Sequence, residues 1–164
     1  MAADKTFRGN ASQFFVAGEL CRRGYYAVVT LGNAANTDIL CSNVEGTRFV
    51  HIQVKTYVPG NRTCSVGTKA EKPYQDNFFW VLGGIPTPDQ DVPFEFYVIP
   101  AAVMSAETRQ QHQKWLDTPG KDGQPHKESG IRTVLIPPNR REDYWDVSPY
   151  KNAWHLIEQK LNGD

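Results

Sequence analysis

Asp38, Gln53 and Lys55 supply a carboxylate, an amide oxygen and an ammonium at a spacing that lets them meet. Gln53 and Lys55 lie two apart in a β-rich run over residues 48–57. Side chains alternate along a strand, so His51, Gln53 and Lys55 emerge on one face while Val50, Ile52 and Val54 emerge on the other. Asp38 opens a second β-rich run over 38–42, and a hairpin joining the two runs brings it beside Gln53 and Lys55 at one end of a sheet. This set suits metal-assisted chemistry at a phosphodiester. Mg²⁺ takes hard oxygen ligands, commonly one or two carboxylates completed by water and substrate phosphate. A neighbouring lysine can position or deprotonate the attacking water and offset charge on the phosphorane. Spacing alone is equally compatible with Asp38 capping a loop and Lys55 carrying its charge outward from a strand edge.

The elements that must position these groups read as follows. Ser12 caps a helix over 12–23 that Gly24 closes, with Gln13, Val16, Ala17, Leu20 and Gly24 on one stripe. Strands follow at 25–31, 38–42 and 48–57, separated by Gly32-Asn33 and by residues 43–46. The turn at Gly32-Asn33 delivers Asp38. The polar segment 68–76 holds at most a short helix, and the apolar runs 77–82 and 94–99 are strands of the sheet. Ser105 opens a helix to Leu116, 131–136 is a further strand, and Ser148-Pro149 begins a last helix that buries Tyr150, Ala153, Trp154, Ile157 and Leu161. Pro59-Gly60, Gly83-Gly84, 86–93 and 119–125 are breaks. Helices and strands interleave throughout, which predicts an α/β fold with a single mixed β-sheet flanked by helices.

The order Asn36-Thr37-Asp38-Ile39-Leu40, then Phe49-Val50-His51-Ile52-Gln53-Val54-Lys55-Thr56, resembles the signature of the PD-(D/E)XK nuclease superfamily in a Gln-x-Lys form. Thr37 stands where the signature has proline, and Gln53 where it has an acid. In the branch resembling archaeal Holliday junction resolvases, an acid on the first helix lies eleven positions before a Gly-aromatic pair; before Gly24-Tyr25 that position holds Gln13. Glu19 is the less favoured substitute. The resemblance covers residues 9–84, with 85–164 an extension the signature does not define. It implies a restriction-endonuclease-like fold and a Mg²⁺-dependent DNA endonuclease, with Mn²⁺ as a substitute cation. Asp38, Gln53 and the Val54 carbonyl would hold the metal, Lys55 would serve the nucleophilic water, and Gln13 would steady a water from the helix. A homodimer is implied by the same analogy. The alternative is a degenerate module of this fold that binds nucleic acid or a protein partner.

Composition bounds the remaining classes. The chain has 164 residues, 18 Lys and Arg against 18 Asp and Glu, and 40% hydrophobic residues, which suits one domain with a core of its own. A zero net charge gives no global field for a polyanion, so DNA contact must be local. Arg62, Lys69, Lys72, Tyr74 and His51 are candidates for it, as are the pairs Arg22-Arg23 and Arg140-Arg141. No apolar run approaches the ~20 residues of a membrane span, and the first residues carry no signal-like stretch. The expectation is a soluble, cytoplasmic protein with Cys21 and Cys41 as buried free thiols. Cys41 with His51 lacks the surroundings of a thiol nucleophile, and the scattered His112, His126 and His155 do not form a zinc site. The aromatic residues at 78–80, 94, 96 and 97, with Trp115 and Trp154, are assigned to packing.

Overall fold

The computed structural model describes residues 5–30, 34–138 and 143–163. Helix α1 (Lys5–Arg22) leads into strands β1 (Tyr26–Val29), β2 (Ile39–Ser42) and β3 (Phe49–Tyr57). A short β4 (Thr63–Ser65) and a 3-10 turn (Thr68–Glu71) precede β5 (Phe78–Gly84) and β6 (Glu95–Pro100). Helix α2 (Ala101–Asp117), β7 (Thr133–Leu135), a 3-10 turn (Ser148–Tyr150) and α3 (His155–Asn162) complete the chain. The main sheet has five strands in the order β1-β2-β3-β5-β6. It is mixed: β3 and β5 run parallel, and the other neighbours run antiparallel. A separate two-stranded sheet pairs β4 with β7, which corrects the expectation of a single sheet.

The alternation of β3 separates two cores. Val50, Ile52 and Val54 join Ile39, Cys41, Phe79 and Val81 beneath α1 and α3, which contribute Val16, Leu20, Trp154 and Ile157. Tyr57, Phe78, Trp80 and Leu82 pack on the other face with Met104 of α2 and Val134 of β7. The same period-2 pattern therefore seals one face entirely with apolar groups and leaves Gln53 and Lys55 on the other.

Several boundaries differ from the sequence reading, each for a tertiary reason. Helix α1 starts at Lys5, so Ser12 lies inside it, fully buried, rather than at its cap. Ser105 is likewise interior to α2, donating to the Glu71 carbonyl at 3.0 Å. Gly83 and Gly84 end β5 instead of breaking it: a Cβ on Gly83 would stand 2.3 Å from Ser12 Oγ, and one on Gly84 would stand 2.7 Å from the Tyr57 ring. Glycine is what lets helix and strand approach there. Ser148-Pro149 makes a 3-10 turn, and Asn152 with φ 52° separates it from α3. Tyr150 accordingly packs with the α2-side core, while Ala153, Trp154, Ile157 and Leu161 are buried on the α1 side. Cys21 is exposed, whereas Cys41 and Cys64 are buried. Of the aromatics assigned to packing, Phe94 is the exposed exception at 47%. Gly32-Asn33 and Arg140-Arg141 lie outside the described residues.

Candidate active site

The β2–β3 register sets Ile39 opposite Ile52 and Leu40 opposite His51. One step further brings Asp38 against Gln53, and the Asp38 N–H donates to the Ile52 carbonyl at 2.9 Å. Strand β2 ends there, so the Val54 peptide faces an edge with no further strand residue to pair with. The Asp38 carboxylate fills that place. Its Oδ2 accepts the Val54 N–H at 2.7 Å and a bond from Gln53 Nε2. Because the N–H and C=O of one strand residue point to the same side, the Val54 carbonyl shares this gap. Asp38 Oδ1 and Gln53 Oε1 take no hydrogen bond among the described residues.

Lys55 follows on the same face, half-buried, with no hydrogen-bond or carboxylate partner among the described residues. Its charge nevertheless reaches Asp38. Burial pushes the Asp38 carboxyl above the ordinary aspartate range, opposed by the Val54 N–H, by the charges of Lys55 and Lys69, and by the Gln53 amide. A carboxylate held in this way is partly desolvated, has one free oxygen, and sits beside an ammonium with no fixed partner. Such an arrangement can take a cation on the oxygen side and a phosphate on the lysine side.

Residues that the sequence reading placed against substrate turn out to hold the loop that carries Asp38. Lys69 donates to the Ala35 carbonyl, and the Tyr74 hydroxyl lies 3.5 Å from Asn36 Oδ1. Thr30 Oγ1 donates to the Thr37 carbonyl at 2.6 Å. His51 Nδ1 lies 3.2 Å from Thr37 Oγ1, with its ring parallel to that of Phe78, which stacks on Tyr74 at 4.0 Å. Thr30 and Thr37 were missed as positioning groups, since isolated threonines beside a turn give no sequence signal.

The other candidates separate clearly. Gln13 lies half-buried on the inner stripe of α1, the helix that covers the opposite sheet face, and makes no hydrogen bond among the described residues. Glu19 is engaged by Arg22 and Arg23, each at 2.7 Å, and Arg23 also reaches Glu158 at 2.8 Å; these arginines are neutralised where they stand. Arg62 and Lys72 are exposed and have no carboxylate partner among the described residues. Burial pushes the Cys41 thiol up to about 12, which removes it as a nucleophile. No group of three or more His, Cys, Asp or Glu capable of holding a metal occurs among the described residues, so any cation here rests on Asp38 with neutral oxygens. No helix among them is long and apolar enough to cross a membrane.

No protein-family profile matches the sequence, and no curated protein matches it either. The fold is matched by a solved structure, that of a bacterial homing endonuclease. The superposition has a TM-score of 0.60 and 18% sequence identity, and covers 99% of this chain and 98% of the other. The similarity therefore spans the extension as well as the core, and it establishes a shared α/β fold with a mixed sheet flanked by helices.

Proposed function

We propose that the protein is a Mg²⁺-dependent endonuclease of the PD-(D/E)XK type that hydrolyses phosphodiester bonds in DNA. The observation that carries this reading is the convergence of Asp38, Gln53 and Lys55 at the end of β2, in a fold shared with a homing endonuclease. The donor set fits a hard cation: Asp38 Oδ1, Gln53 Oε1 and the Val54 carbonyl are oxygens, and Mg²⁺ usually keeps several waters and draws further ligands from substrate phosphate. The cation, when bound, would supply Lewis-acid activation of the scissile phosphate. Lys55, as an ammonium, would orient the attacking water and offset charge on the phosphate oxygens. Gln53, whose Nε2 donates to Asp38, would offer its Oε1 to the cation. Lys69 holds the Asp38 loop, while Arg62 and Lys72 offer unpaired charge to the backbone.

With Asp38 as the sole carboxylate, affinity for the free cation is low, and occupancy depends on the phosphodiester adding its charge. That same scarcity of acids favours a second reading, a module of this fold that binds nucleic acid without cutting it. Nicking of supercoiled plasmid with Mg²⁺ or Mn²⁺ separates the two. Metal-dependent cleavage by the native protein that disappears in both Asp38→Ala and Lys55→Ala supports hydrolysis. Plasmid binding without nicking, under either cation, supports the second reading.

A further inference from the structure

The outward side of α1 is the reverse of what a solvated helix presents. Phe7, Ala11, Phe14 and Gly18 recur at intervals of four, three and four residues, the spacing of a helix–helix seam. They lie opposite the stripe of Ser12, Val16 and Leu20 that meets the sheet. Phe7 is 70% exposed and Phe14 67%. Phe15 leans on Phe94 with ring centroids 4.5 Å apart, and a shallow groove of about 310 Å³ opens between Phe14, Phe15, Phe94 and Gly18. A side chain placed at Gly18 would meet nothing within 4 Å of its Cβ.

We propose that this face is a homodimer interface, in which α1 packs antiparallel on α1 of a second copy about a two-fold axis. The order of large and small residues along the seam is the one that this symmetry requires. An axis midway between Ala11 and Phe14 sets Phe7 opposite Gly18 and Ala11 opposite Phe14, so a ring meets a space at every level. Parallel pairing would put ring on ring and gap on gap. At ~200 Å² per phenylalanine, the four rings leave about 450 Å² bare in each copy. That is over half of the roughly 800 Å² per partner that a stable interface buries, before Ala11, Gly18 and the flanking Glu19–Arg22 pair are added. The seam lies across the sheet from Asp38 and Lys55, and its pairing does not depend on the nuclease reading.

Sedimentation equilibrium of the native chain, Phe14→Glu, Gly18→Phe and the double variant Phe7→Ala with Gly18→Phe tests this. The native chain is expected at about twice its 18.5 kDa mass. Phe14→Glu and Gly18→Phe should each weaken association at least about tenfold. The double variant restores association, because the large residue and the space have exchanged places across the axis. Positions 7, 14 and 18 all lie on the outside of α1, so melting temperatures followed by circular dichroism should stay close to native once extrapolated to the dissociated chain. A native chain that remains at single-chain mass up to about 0.1 mM overturns the proposal. So does a dimer indifferent to both single substitutions, or a double variant no better associated than Gly18→Phe.

Discussion

Lys55 and Arg132 are cations in the same layer, over the sheet face that α2 and β7 cover, yet their surroundings are opposite. Arg132 is 7% exposed, and each of its guanidinium nitrogens is engaged. Nε donates to Glu71, one terminal nitrogen reaches Glu71 at 3.4 Å and Glu128 at 3.1 Å, and the other donates to the Ser129 and Ile131 carbonyls. Glu71 in turn fixes α2 through its backbone oxygen, which accepts from Ser105 and Arg109. Lys55 has none of this. Beside it, Asp38 uses one carboxylate oxygen and leaves the other open. A network whose every donor and acceptor is matched holds a fold together and has nothing left for a ligand. A half-buried carboxylate and ammonium that leave each other's capacity unused keep it for something absent.

The contrast can be broken from either side. Lys55→Met should lower metal-dependent cleavage by about 10²–10⁴-fold, the range for loss of a positioned acid–base group. Its melting temperature should equal or exceed the native value, since a half-buried charge has been replaced by an apolar stem of similar length; a large fall in melting temperature would make Lys55 structural. Arg132→Met should do the reverse. It strands the Glu71 carboxylate and two carbonyls at a cost of about 1–3 kcal/mol, read as a lower denaturant midpoint, while cleavage per folded molecule is retained.

Asp38→Asn gives a smaller but signed effect. Burial raises the Asp38 pKa, so the folded chain holds that proton more tightly than the unfolded one. The associated stability is complete below the ordinary aspartate value of about 3.9 and is lost as pH rises through the raised one. Asparagine carries no such dependence. The melting temperature of Asp38→Asn relative to native should therefore rise across that window and level off above it, by differential scanning calorimetry. A difference that stays flat from low to neutral pH would contradict the desolvated carboxylate. The smallest expected effect is that of Gln13→Glu. An added acid on the inner stripe should lower the Mg²⁺ midpoint for cleavage modestly if Gln13 acts toward the site, and an unchanged midpoint would remove it.

The hairpin that joins Asp38 to Gln53 and Lys55 was legible because two adjacent antiparallel strands leave few registers, and burial of Ile39, Ile52 and Val54 on one face selects among them. What was not legible depended on partners distant in sequence. Ser12 and Ser105 read as helix caps because serine favours that position, whereas each is buried in a helix interior against another element. Gly83-Gly84 read as a break because nothing local announces Ser12 and Tyr57 pressing on the strand. Strand β4 is too short to show alternation and exists because β7 pairs with it. That Lys69 and Tyr74 reach the Asp38 loop was hidden for the same reason: a lysine beside a site looks alike whether it contacts phosphate or a carbonyl of the protein's own chain.

The most direct test is a Mn²⁺ titration of the native protein and Asp38→Asn, followed by the paramagnetic signal of the free ion, with and without a short DNA duplex. Weak binding to the native protein alone, a marked gain when duplex is present, and no such gain in Asp38→Asn are expected. Equal binding by native and variant protein in the presence of duplex would mean that the cation sits elsewhere, and that Asp38 with Gln53 and Val54 is not the site.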